Sequence, residues 1–71
     1  MKNETIGMRI RKRRKELRLT QAALGSKIGV KGGAISQWED DKTSPKGENL
    51  IALSQAMGCV PEFLLYGENS A

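Results

Sequence analysis

The sequence contains no histidine and a single cysteine, Cys59, in 71 residues. Without histidine, neither a Cys/His zinc site nor a Ser-His or Cys-His nucleophile arrangement can be assembled, and the commonest general base is missing. One cysteine cannot close an internal disulfide, which fits a reducing compartment. Cys59 follows Gly58 and is expected to be a small buried hydrophobe. No apolar run reaches the length of a membrane span and no leader-like segment opens the chain, so a soluble cytoplasmic protein is expected. Asp40 and Asp41 are adjacent carboxylates, but no third ligand follows at a metal-binding spacing. No metal, no cofactor, no small-molecule substrate and no enzyme chemistry are therefore expected.

What the chain does have is positive charge, net +4 with a pI near 9.6, and that charge is unevenly placed. Residues 1–20 hold Lys2, Arg9, Arg11, Lys12, Arg13, Arg14, Lys15 and Arg18 against Glu4 and Glu16, a segment charge of +6. Residues 21–40 sum to zero and residues 41–71 to −2. A basic face on a small domain suggests a polyanionic partner, although a merely solvated helix face has the same composition. The length allows one domain, residues 1–71, with an ordered core at about 5–67 and frayed residues beyond Gly67.

Four breaks divide the chain: Leu19-Thr20, Gly29-Val30, Asp40 to Gly47, and Gly58 to Pro61. Between them the pattern predicts five helices. The first spans 5–18, capped by Thr5, with Ile6, Ile10 and Leu17 on one face. The second runs from Gln21 to Ile28, capped by Thr20 and stopped by a left-handed Gly29. The third runs from about Gly32 to Glu39 or Asp40, with Ile35 and Trp38 as its apolar stripe. The fourth covers about 47–57, with Leu50, Leu53 and Met57 together and Gly58 as its stop. The fifth covers 61–66, opened by Pro61 and ended by Gly67. Trp38 is expected in the core, while Phe63 and Tyr66 suit either the core or a contact between copies.

The informative stretch is Gln21 to Asp40. Leu24 and Ile28 form one apolar face, Val30 sits in the turn, and Ile35 and Trp38 face back from the next helix. Gly25 leaves room for a close crossing, and Gly29 supplies the positive φ that a short turn between steeply crossed helices requires. These positions together fit a helix-turn-helix unit.

The texts RRKELRLTQAALGSKIGV, AISQWE, P-x-GENLIALSQAMGC-x-P and FLL-x-G, spread over residues 6–67, resemble the lambda-type phage repressors. These belong to the wider Xre group of helix-turn-helix regulators, and QAALG, AISQWE and GENL bring the lambdoid repressors nearest. The resemblance implies an all-α, five-helix fold whose third helix lies in the major groove while the second crosses the backbone. It implies two protomers on a palindromic double-stranded operator, weakly associated or monomeric when free. It assigns base-facing positions to Lys31, Gly32, Gly33, Ser36 and Gln37. It assigns phosphate contacts to Arg14, Gln21, Lys42, Thr43 and Lys46, and an orienting ion pair to Arg14 and Glu39. Among the remaining cations, Arg11, Lys12 and Lys15 are expected to raise only the long-range field.

Lys31-Gly32-Gly33 departs from that family, which usually places a capping Ser or Thr and then larger side chains here. Each glycine costs a helix about 1 kcal/mol relative to alanine. Gly32 either opens the third helix or caps it, and a third reading leaves all three residues in the turn. With both glycines in the reading head, specificity falls to Lys31, Ser36 and Gln37, helped by DNA shape. The function implied is a sequence-specific transcriptional repressor. The alternatives are an antitoxin-type interaction module that also binds its own promoter, and a targeting subunit for a DNA-modifying enzyme.

Overall fold

In the computed structural model, which describes residues 4–67, the chain forms α1 (Ile6–Glu16), α2 (Gln21–Ile28), α3 (Gly32–Glu39), α4 (Glu48–Ala56) and α5 (Pro61–Tyr66). No strand occurs among the described residues, and the all-α, five-helix class read from the sequence is the one observed.

Helix starts follow local chemistry. The Thr5 hydroxyl accepts from Met8 N at 3.0 Å and the Thr20 hydroxyl from Ala23 N at 2.9 Å, each satisfying an N–H that the first turn leaves without a partner. Pro61 opens α5, where its missing N–H is no loss. Of the three readings of Lys31-Gly32-Gly33, the one in which Gly32 opens α3 holds: Lys31 is the N-cap, with φ −81° and ψ 158°, and Gly32 is the first helical residue.

The ends of α1 to α4 share one device. The first or second residue past the helix takes a positive φ, and the residue after it donates its N–H to the carbonyl five positions back. These bonds run from Leu19 to Arg14 (3.1 Å), Val30 to Gly25 (2.9 Å), Lys42 to Gln37 (3.0 Å) and Cys59 to Ser54 (2.9 Å). The left-handed positions are Arg18, Gly29, Asp41 and Gly58, with φ 60°, 82°, 61° and 67°. Glycine adopts that backbone freely, whereas Arg18 and Asp41 do so at a cost of roughly 1–2 kcal/mol.

Each helix sends at least one side chain to a common centre: Ile10, Leu24, Ile35 with Trp38, Leu53 and Leu64, joined by Met57 just past α4. All but Trp38, at 6 %, are fully buried. Burying each of these large side chains contributes about 1.5–3 kcal/mol. The α1–α3 contact is so close that a Cβ on Gly7 would collide with the backbone carbonyls of Trp38 and Glu39. At Gly25 the obstructing atoms belong to Val30 and Lys31, so it is the turn into α3 that presses on α2.

Several expectations need correction. α1 ends at Glu16 rather than 18, because the chain reverses through Leu17 and Arg18. Leu17 is therefore 38 % exposed and off the apolar face, and Leu19 packs against the core instead. α4 begins at Glu48, since Gly47 has φ 53° and stands outside the helix. Cys59 is half-buried, not buried; that burial pushes its thiol pKa up, while Arg13 nearby opposes the shift. Phe63 packs half-buried against the core, and Tyr66 is largely exposed. The expected fraying beyond Gly67 lies outside the described residues.

Candidate nucleic-acid interface

Beneath α3 lies a network that joins α1, α2 and α3. Arg14 on α1 forms a two-point ion pair with Glu39 on α3, Nε to Oε2 at 2.6 Å and Nη2 to Oε1 at 3.0 Å. Its Nη1 donates to Leu19 O at 2.7 Å, and Gln21 Nε2 donates to Glu39 Oε1 at 3.1 Å. Arg14 is 8 % exposed and Glu39 7 % exposed. The hydrogen bond to Glu39, helped by its charge and opposed by burial, raises the Arg14 pKa further above its ordinary value. Every buried side-chain polar atom among the described residues has a partner, so the network is complete.

The network fixes how α3 is turned. Ile35, Trp38 and Glu39 face inward, and Lys31, Gly33, Gln37 and Asp40 face solvent. Ser36 is half-buried at the edge of that outer face. Gly32 is turned differently from Gly33: a Cβ on Gly32 would sit 3.2 Å from Ala22 N and Cα, against the first turn of α2, whereas one on Gly33 would meet nothing within 4 Å. Of the five residues expected to face bases, Gly32 thus closes the α2–α3 contact while Lys31, Gly33, Ser36 and Gln37 line or border the open side. Asp40 extends that side toward its C-terminal end, a carboxylate the sequence reading did not place there.

The expected phosphate-contacting residues fall in two places. Gln21 and Arg14 lie in or beside the buried network at the start of α2. Lys42, Thr43 and Lys46 are exposed on the loop that follows α3. That loop is tied down by Pro45, which is buried, and by Asp41, whose carboxylate accepts from Gly7 N at 2.9 Å and from the Thr5 hydroxyl at 2.6 Å.

Two arginines of the basic run serve the fold. Arg9 donates to the carbonyls of Leu64, Leu65 and Glu4, each at 2.8 Å, and so completes the C-terminal end of α5. Arg13 donates to Met57 O at 2.8 Å, at the end of α4, and pairs with Glu16 at 3.2 Å. The only hint in the sequence is that residues 9 and 13 stand one turn apart, flanking Ile10.

A helix-turn-helix family model matches residues 10–65. The chain belongs to the helix-turn-helix family. Within it, the chain is 54% identical over 70 residues to Repressor protein C2 of Salmonella phage P22, covering 99% of this chain and 32% of that one. It is 45% identical over 67 residues to the HTH-type transcriptional regulator DicA of Escherichia coli (strain K12), covering 94% and 50%. This helix-turn-helix chain therefore spans 32% and 50% of the length of these two curated relatives. It superposes on the crystal structure of the P22 c2 repressor protein in complex with synthetic operator 9T with a TM-score of 0.91, at 55% identity, covering 93% of this chain and all of that one. The resemblance read from QAALG, AISQWE and GENL agrees with these matches. The relatives' names describe regulators rather than enzymes.

Proposed function

We propose that this domain is a transcriptional repressor's reading head, binding double-stranded operator DNA by sequence. α3 lies in the major groove, α2 crosses the phosphate backbone, and two copies sit on the halves of a palindrome. The observation that carries this reading is the orientation of α3. Its inner face is locked by the Arg14–Glu39–Gln21 network, while Lys31, Gly33 and Gln37 are exposed on the outer side and the loop that follows carries the exposed Lys42 and Lys46. The similarity to a repressor solved on an operator supports it.

In this arrangement Gln37 bonds an adenine edge and Lys31 a guanine edge. Ser36 reaches the border of the same groove, and Gly33 lets the helix approach without a side chain. Gln21, Lys42, Thr43 and Lys46 hold phosphates. Arg14 orients Gln21 through Glu39 and directs its remaining N–H groups toward the same backbone strand. The domain works in the cytoplasm without cofactor. No helix among the described residues is long and apolar enough to cross a membrane.

Selection of binding sites from random duplex DNA, followed by sequencing, tests the proposal. The expected result is a short palindromic consensus with protection of two half-sites on one side of the duplex. Recovery of unenriched sequence would overturn it.

A further inference from the structure

We infer that Arg18 is a dedicated contact for the DNA backbone, held ready by the turn between α1 and α2. The inference rests on the DNA-binding reading above and adds a residue that the resemblance did not assign.

It starts from the helix ends. Four helices finish on the same left-handed turn, and the residue in that position is Gly29, Gly58, Asp41 or Arg18. Glycine is the residue that this backbone favours. A larger residue there needs a reason, and for Asp41 the reason is visible: its carboxylate accepts from Gly7 N and the Thr5 hydroxyl, tying the loop after α3 to the start of α1. Arg18 has no such tie. Its side chain is exposed, and its charge enters neither ion pair among the described residues. The fold therefore carries a strained arginine whose side chain it does not use. Strained positions of this kind collect where a side chain serves something outside the fold.

The location says what that is. Leu19, the next residue, is fixed by its N–H to Arg14 O and by its carbonyl, which accepts from Arg14 Nη1 at 2.7 Å. Thr20 caps α2, and Gln21 reaches Glu39 on α3. Arg18 thus stands in the turn that leads directly into α2, two residues before its N-cap Thr20 and three before Gln21, past the end of α1. A free guanidinium in that turn recognises an oxyanion such as a phosphate of the duplex. Of its neighbours in the basic run, Arg9 and Arg13 are spent on carbonyls of α5 and α4, the charge of Arg14 is balanced by Glu39, and Arg11, Lys12 and Lys15 are exposed but stand earlier, within α1. Arg18 supplies the unspent charge in the turn into α2.

The test compares Arg18→Gly, Arg18→Asn and Arg18→Lys with Lys12→Ala, each titrated against a labelled random-sequence duplex over a range of salt, alongside thermal melts. Lys12 borders the cleft shared by Arg9, Arg13 and Phe63, away from α3, and reports the long-range field alone. Gly and Asn both tolerate the left-handed backbone, so these variants should melt at or above the parent temperature. They should nevertheless bind more weakly, with the log Kd against log salt slope shallower by about 1 per protomer. Arg18→Lys should keep the slope. Opposite movements of stability and affinity are the signature, since a structural residue would lose both. The assignment is overturned if the Gly and Asn variants change the slope no more than Lys12→Ala does, or if both melt below the parent. If the parent itself shows no salt-dependent binding, the DNA reading falls first, and that outcome is distinct because it appears without any variant.

Discussion

Glu39 accepts three hydrogen bonds from two side chains and meets almost no solvent, so it is the residue on which the α1–α2–α3 junction turns. Removing its charge leaves the Arg14 guanidinium buried without a counter-ion, and breaking a buried pair costs about 3 kcal/mol. Glu39→Gln should therefore lower stability by that order in urea titrations, and weaken operator binding by releasing Gln21 and Arg14. Glu48→Gln removes an exposed carboxylate from the first turn of α4, where the helix dipole makes it worth less than about 1 kcal/mol. Equal effects from the two substitutions would contradict the role assigned to Glu39. Arg9 makes a different prediction. Its three bonds to carbonyls hold α5, so Arg9→Met should destabilise by at least about 1.5 kcal/mol while leaving the salt dependence of DNA binding unchanged. A loss of salt slope without loss of stability would move Arg9 from the fold to the interface.

Among the helices, α3 separates reading from support most sharply. Gly33 has helical backbone and open space where a Cβ would stand, so Gly33→Ala should stabilise the domain by roughly 0.4–1 kcal/mol, chiefly by restricting the unfolded chain. The added methyl lies on the open side of α3, and under the proposed reading the selected operator should change with it. Gln37→Ala, on the same face, should cost about 1–3 kcal/mol on the best operator and almost nothing on random duplex. A destabilised Gly33→Ala, or equal losses on both DNAs for Gln37→Ala, would remove α3 from the role of reader. The helices themselves were legible in the sequence because their signals are local. A threonine before an apolar pattern caps a helix wherever the chain goes next, and Pro61 and Gly67 bracket α5 for the same reason. The Arg14–Glu39 pairing came from family resemblance rather than from spacing. What stayed hidden depended on partners distant in sequence. Arg9 looks like any cation in a basic run until Leu64 and Leu65 are brought beside it. Asp41 reads as a loop residue until Gly7 arrives. Gly32 and Gly33 are one dipeptide in sequence, but only the packing of Ala22 tells the filled side from the open one.

For the molecule as a whole, the cations divide into those that hold helix ends and those that face solvent. The second group governs attraction to a polyanion. With about four to six cationic contacts in a pair of copies, the log–log dependence of operator affinity on salt should have a slope near −4 to −5, measured by titration at several ionic strengths. A slope near zero would exclude a phosphate grip of any kind. One feature of the helices bears on this equilibrium in another way. They contain 11, 8, 8, 9 and 6 residues, all below the roughly 12–15 at which an isolated helix becomes even marginal in water. None of them persists alone, so α3 exists as a shaped surface only while the shared core is closed. Any duplex held by that surface binds the assembled chain and not the unravelled one, which makes it a ligand of the folding reaction. At a free concentration one hundred times Kd it would add about 2.7 kcal/mol to the folded state. Occupancy of a binding site and survival of the protein would then rise together, the nucleic acid serving as a chaperone for its own reader.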